Sequence, residues 1–258
     1  MLTPRTLFLV LLLASPLAAA PGQGSAGSSG QVEPRFLVHA PTAGMLRGGA
    51  VCLDTEFYRE GGLLVGVSVG IFDRFGLGIS YGGTNVIGTG SATVNPLPGF
   101  SARLRPLDET PLLPAIVLGF DSQGKSGYLK EANRYVIKSA GLFAVLSKNY
   151  AFLGYLSLHG GVNYTFERSD GDSDINFFAG LEKTVGPTIS LVLEYNLGAN
   201  DDAETALGTG GTGYLHAGVR WSIGEGITLG FNLEDLTRNS SIIDGPSRTV
   251  RLEYVSSL

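Results

Sequence analysis

The stretch that most constrains this chain is Gly62 to Tyr81, GLLVGVSVGIFDRFGLGISY. Leu63, Val65, Val67, Val69 and Ile71 share one parity; Leu64, Gly66, Ser68 and Gly70 share the other. After the break Phe72-Asp73-Arg74-Phe75, Leu77, Ile79 and Tyr81 stand opposite Gly78, Ser80 and Gly82. Strict period-two alternation makes a strand with one apolar face and one small or polar face. Two such runs around a tight turn make a hairpin. The apolar face has to be covered, by a second sheet in a sandwich or by lipid in a membrane barrel.

The rest of the chain decides between them. Val51, Leu53, Thr55 and Phe57 alternate with Cys52, Asp54, Glu56 and Tyr58. Ala102 and Leu104 oppose Arg103 and Arg105, and Ile116, Leu118 and Phe120 follow. Arg134 to Ser147 is apolar on both parities in places, and its register stays open. Phe152, Leu156, Leu158, Val162, Tyr164 and Phe166 oppose Tyr155, Ser157, His159, Asn163 and Glu167. Runs centred on Ala179, Leu193, Val219, Leu229 and Leu252 alternate in the same way. The chain thus predicts about twelve strands, the even number usual for single-chain bacterial barrels, and no convincing helix. The links at Phe72–Gly76, Ser147–Ala151, Thr184–Pro187 and Gly224–Gly226 are tight, and Pro106–Pro114 is somewhat longer. Those at Val86–Pro98, Ser122–Asn133, Glu167–Asp174, Gly198–Gly213 and Thr237–Ser247 are long and polar. Short and long alternate, as periplasmic turns and outer loops do, with the short outer link Arg59–Gly62 as the exception. On the apolar parity, near the outer ends of the outgoing strands, stand Phe57, Tyr81, Phe120, Phe166, Tyr195 and Phe231, a candidate aromatic girdle. The expected fold is all-β: a closed antiparallel transmembrane β-barrel over residues 48–258, with short periplasmic turns and longer outer loops.

Composition agrees. Only 16% of the 258 residues are charged and 38 are glycine. The net charge of −5 gives no basic footprint for nucleic acid. Arg5, the apolar run Leu7–Leu13 and the small residues Ala18-Ala19-Ala20 read as a cleaved signal peptide over residues 1–22, with cleavage within 19–24. The expected address is the outer membrane of a Gram-negative-type bacterium, among lipid and lipopolysaccharide, reached through the barrel-assembly machinery. Tyr254 in the last alternating run resembles the C-terminal assembly signal, with Leu258 in place of the usual final aromatic. Residues 23–47, rich in Gly, Ser, Ala and Pro at their start, read as a disordered lead-in. Within them Phe36–Arg47 carries the turn signal Pro41-Thr42-Ala43-Gly44 and is a candidate plug or cap, with its structure left open.

The polar parity supplies lumen-lining candidates: Asp54, Glu56, Arg103, Arg105, Lys138, His159, Asn163, Glu182, Glu194, His216, Arg220 and Glu234, with Asn232, Arg251 and Glu253. Two readings stay open. Either these residues line a narrow pore that selects by charge, or they form a salt-bridge network that fills the barrel. His159 and His216 would serve a barrel hydrolase only with a serine and a third partner in reach, and no G-x-S-x-G motif is present. Catalysis is therefore not expected. Asp170-Gly171-Asp172-Ser173-Asp174 fails the EF-hand pattern, because Ile175 and Leu181 stand where Gly and Glu are required; it reads as a solvated turn. Cys52 is alone, so no internal disulfide forms. No cofactor or metal is expected.

EGGLLVGVSVGIFDRFGLGISYGGTNVIG (Glu60 to Gly88), LPAIVLGFDSQG (Leu113 to Gly124), LSKNY (Leu146 to Tyr150), LHGGVNY (Leu158 to Tyr164) and GYLHAGVRWS (Gly213 to Ser222) resemble the YjbH-like barrel proteins associated with exopolysaccharide production. The resemblance covers the chain from about Pro41 onward. It implies an outer-membrane barrel and an accessory role in polysaccharide export, and it brings no catalytic residues. Small-solute passage, such export, and a structural or adhesion barrel with a filled lumen are the functions it leaves in play.

Overall fold

The structure, a computed structural model, describes residues 26–30, 32–203, 206–208 and 211–257. The expected signal peptide lies outside them. Fifteen strands follow one another: β1 (Ala50–Tyr58), β2 (Gly62–Ile71), β3 (Phe75–Thr84), β4 (Thr93–Val94), β5 (Gly99–Leu107), β6 (Ala115–Asp121), β7 (Lys125–Leu129), β8 (Arg134–Ile137), β9 (Gly141–Ala151), β10 (Tyr155–Tyr164), β11 (Asn176–Val185), β12 (Ile189–Asn196), β13 (Tyr214–Gly224), β14 (Ile227–Glu234) and β15 (Ser247–Ser257). β7 pairs only with β8 and the two-residue β4 only flanks β3, while the other twelve strands form an antiparallel sheet that closes on itself into a barrel. The first and last strands seal it, from Ala50 opposite Ser257 to Phe57 opposite Val250.

The alternation in Gly62–Tyr81 becomes geometry in β2 and β3. Val65, Val67, Leu77, Ile79 and Tyr81 point outward and are exposed. The same outward row continues around the wall through Leu104, Leu118, Leu142, Leu146, Leu191, Leu193, Val219, Phe231 and Leu233. Soluble monomers rarely expose contiguous apolar patches beyond a few hundred Å². A belt of this kind around a closed barrel is the surface that meets lipid. Closure leaves no strand edge, so every wall strand satisfies its backbone without water.

Trp221, the single tryptophan, sits in this belt near the short-turn end of β13, 47% exposed. In lipid vesicles its emission is expected to be blue-shifted and quenched by brominated acyl chains rather than by aqueous acrylamide. The opposite pattern would place this face in water.

Two expectations change here. Arg134–Ser147 is not one wall strand. β8 leaves the wall and pairs with β7 in a small hairpin among the outer loops, and β9 begins only at Gly141, whose φ is +62°. Lys138 therefore lies between β8 and β9, not on the wall. Phe152 likewise falls in the turn between β9 and β10.

The third change is the largest. Residues 32–47, expected within a disordered lead-in, run inside the barrel. Leu37, Val38, Ala40, Ala43, Met45 and Leu46 are all buried. The apolar clusters of the molecule form where this segment meets the wall. Ala40, Ala43 and Met45 pack on Ala115, Val117, Phe143, Val145 and Phe178, and Leu37 and Val38 pack on Val192. Two wall glycines make room for it. A Cβ at Gly70 would collide with the Arg47 carbonyl, and one at Gly180 with the Leu37 side chain.

Candidate functional site in the lumen

The inserted segment is a hairpin. Phe36 bridges Pro41, Leu37 N donates to Ala40 O at 2.8 Å, and Thr42 N donates to Arg35 O at 3.0 Å. Thr42 Oγ1 bonds back to the Pro34 carbonyl and accepts from Gly44 N. The flanking chain is tied to the short-turn rim. Ser28 N and Ser29 N donate to Gly186 O and Pro187 O, and Gly48 N donates to Asp73 Oδ1 at 2.6 Å. The segment therefore enters from the periplasmic end and turns back at Leu37–Ala40.

A hairpin in a barrel cannot pair its outer backbone groups with water or sheet, so the wall supplies partners. Glu194, fully buried on β12, accepts from the backbone N–H groups of Val38, His39 and Ala40 at 2.8, 2.8 and 2.9 Å, all on Oε2. Arg220 on β13 donates to the carbonyls of Phe36 and Leu37 and is paired with Glu182 at 2.7 Å. Arg103 on β5 donates to Gly44 O at 3.0 Å and Arg35 O at 2.6 Å. Charged donors and acceptors make the stronger hydrogen bonds, and a low local dielectric sharpens them.

The hairpin also brings its own charge. Arg35 donates to Ser68 Oγ at 2.7 Å, Cys52 Sγ at 2.9 Å and Glu253 Oε2 at 3.0 Å. Beside it Arg251 pairs with Asp54. The Phe36 ring lies among Arg103, Arg251 and Lys125, whose cationic centres are 4.7, 5.0 and 5.4 Å from its centroid. Such contacts are worth about 2 kcal/mol or more when desolvated. Nearer the periplasm, Glu33 joins Arg105 at 2.6 Å.

The inward candidates thus face the lumen but meet one another and the hairpin. Asp54, Glu56, Arg103, Arg105, Glu182, Glu194, Arg220 and Glu234 all pair with charged groups or with hairpin backbone. Asn163 joins Asn176 and Asn196 in an amide ladder, each link 2.9 Å long. His216 accepts from Asp235 N at 3.1 Å and its ring meets that of His39 edge-on.

His159 does have a serine in reach, since its Nδ1 lies 2.7 Å from Ser147 Oγ. That oxygen also accepts from Ala43 N at 2.8 Å, and His159 Nε2 is buried with no hydrogen-bond partner. With no third group to orient the imidazole, the pair holds the hairpin rather than forming a triad.

The space left around the hairpin includes a cavity of about 210 Å³ toward the periplasm, beside Arg105, Ser147 and His159. An outer cavity of about 70 Å³ is lined by His39, Asn163, Asn176, Tyr214 and Glu234.

Outer loops cover the far end. Arg134, fully buried on β8, binds Asp170 and Asp201, each at 2.5 Å, and Lys138 joins Asp170 at 2.7 Å. Burial alone would raise the Asp170 carboxyl, but Lys138, the Asp172 N–H and Arg134 hold it below its ordinary value. The solvated-turn expectation for Asp170–Asp174 is corrected for its first half. Asp170 and Asp172 are buried because they tie loops together, Asp172 by accepting from Asp202 N and Ala203 N.

The girdle candidates sit at the outer ends of their strands. Phe57, Tyr81, Phe166, Tyr195 and Phe231 are exposed, and Phe120 is half-buried against Phe166. The Tyr81 and Tyr195 hydroxyls reach up to loop carbonyls of Asn95 and Thr212 at 3.0 and 2.8 Å.

Closure, an apolar belt, a polar interior and loops long at one end fix the class. The chain is a twelve-stranded β-barrel of the outer-membrane type. No protein-family model and no curated protein matches it. Among solved structures it is similar to the KdgM porin, at 12% identity and a TM-score of 0.48, over 81% of this chain and 99% of that one. KdgM has also been solved in complex with disordered oligogalacturonate. The outer membrane protein Omp33 of Acinetobacter baumannii matches at 10% identity and a TM-score of 0.42, over 81% and 97% of the two chains. These solved structures share the outer-membrane barrel architecture, and none of them is described as YjbH-like.

Sequence reasoning missed Glu33, Arg35, Phe36 and His39 on the hairpin and Lys125 and Arg134 in the loops. The available signal was the pair Pro34 and Pro41 bracketing Phe36-Leu37-Val38, an apolar run at odds with a solvated tail.

Proposed function

We propose that this barrel admits small solutes through a passage that its own N-terminal hairpin closes and opens. The observation that carries the reading is the hairpin itself. It crosses the lumen, is tied at both ends to the periplasmic rim, and is held by polar contacts rather than by strand pairing with the wall. Polar contacts can exchange with water when the segment withdraws, whereas a strand ladder would be part of the wall. The amide ladder and Tyr214 in the outer cavity offer neutral donors and acceptors suited to sugar hydroxyls. With the YjbH-like resemblance, they support an accessory role in exopolysaccharide export as the finer form of the proposal.

A structural barrel with a filled lumen is the second reading, favoured by the apolar packing of Ala43 and Met45 against Phe143 and Phe178. Conductance in a planar bilayer separates the two. The gated reading expects long closed periods broken by discrete steps. Permanent silence, with or without the hairpin, would establish the structural reading.

A further inference from the structure

We propose that His39, Glu56 and Glu234 form a divalent transition-metal site that fastens the hairpin tip to two wall strands. His39 comes from the tip, Glu56 from β1 and Glu234 from β14. One donor atom of each lies within 4.8 Å of the other two. The side chains are 7%, 3% and 2% exposed.

The spacing of the three side chains is compatible with a shared ion. His39 Nε2 and Glu234 Oε1 stand 3.2 Å apart as an ion pair, and His39 Nδ1 is buried with no hydrogen-bond partner. Two ligands of a tetrahedral zinc, each about 2.0–2.1 Å from the metal, stand about 3.3 Å from one another. Glu56 offers the third donor. Its Oε2 binds Lys125 at 3.0 Å, while its Oε1 is buried with no partner. A buried carboxylate oxygen such as Glu56 Oε1 costs free energy until a donor or a cation joins it. The carboxylate of Glu234 is itself oriented by Ser247 and Thr249, each donating at 2.8 Å, the outer support that metal-binding carboxylates usually have.

Nitrogen plus two carboxylates suits zinc better than calcium or magnesium, which favour oxygen alone. His39 and Glu234 also line the outer cavity of about 70 Å³, which has room for a water as fourth ligand. A second group sharpens the contrast. Cys52, Asp54 and Glu253 lie equally close together, but Arg35 already stands among them as the cation, 3.0 Å from Glu253 and 3.7 Å from Asp54. In the His39 group Lys125 engages Glu56 Oε2 and leaves Oε1 without a partner.

Zinc titration of the full-length protein in detergent, followed by calorimetry, tests the site. Heat-modifiable gel mobility confirms that each sample is folded. The wild type is expected to bind one zinc per chain. His39→Ala, a change on the hairpin that leaves the wall strands intact, should weaken binding by about tenfold or more, and Glu234→Gln should do the same. The loop variant Asp172→Asn/Asp174→Asn should bind as the wild type does. A folded wild type that takes up no zinc would overturn the proposal. So would binding that His39→Ala leaves unchanged, or that the loop variant abolishes. Conduction plays no part in this measurement, so its failure and the failure of the gate are told apart.

Discussion

A chain lacking residues 33–46 is expected to conduct steadily where the intact chain rests closed, with a rise of at least about tenfold in mean conductance. The wall does not need those residues, because β1 begins at Ala50 and its partners are β2 and β15. Their removal takes away the carbonyls that Arg103 and Arg220 bind and the N–H groups that Glu194 accepts. Those wall charges then face an open lumen, where water replaces the lost partners. Twelve strands lie between the roughly eight that give a filled interior and the 16–18 that give a wide channel, so the opened lumen is narrow. The hairpin also covers Val117, Phe143, Val145, Phe178 and Val192. Burying such side chains is worth about 1.5–3 kcal/mol each, so withdrawal is uphill and the closed state dominates in the wild type. Equal conductance with and without the hairpin would mean that it does not block the passage.

The second large effect is expected at Glu194. One oxygen of this carboxylate gathers three consecutive N–H groups at the hairpin tip. In Glu194→Ala these three donors at the buried hairpin tip lose their acceptor. Leaving a buried donor unsatisfied costs about 1–3 kcal/mol, and more when the lost partner was charged. A total near 3 kcal/mol is a shift of about a hundredfold in the ratio of closed to open hairpin. Two readings should move together: open-channel time rises, and trypsin begins to cut at Arg35, which is buried in the intact barrel. Glu194→Gln keeps one carbonyl acceptor and should fall between the two. A variant as protected as the wild type would show that the apolar contacts alone hold the tip.

What could be read in advance follows from how each part is stabilised. The wall strands announce themselves because lipid outside and polar groups inside impose an alternation on every strand, as in Gly62–Tyr81. That alternation also puts Arg103, Glu182, Glu194 and Arg220 on one parity, the one that is buried in the structure. It could not show what those residues face, because their partners are backbone carbonyls and amides of residues 35–44, and any sequence supplies those. The hairpin carries no period of its own, so its glycine- and serine-rich approach outweighed Phe36-Leu37-Val38. Lys138 was misplaced for a related reason. β8 and β9 are separated by only three residues, and both are apolar enough to read as one strand. The His39, Glu56 and Glu234 cluster joins residues 17 and 178 positions apart, a closeness that only barrel closure creates.

The account turns on where residues 32–47 lie, and a cross-link measures that most directly. In a Cys52→Ser background, Ala43→Cys on the hairpin and Ser147→Cys on β9 replace a pair whose Ala43 N and Ser147 Oγ are 2.8 Å apart. Oxidation in isolated outer membranes should convert most of the chain to a form of altered mobility on non-reducing gels, and conductance should then cease until the bond is reduced. Two cysteines that stay free to react with maleimide, in a barrel shown by heat-modifiability to be folded, would place the hairpin outside the lumen and contradict the account.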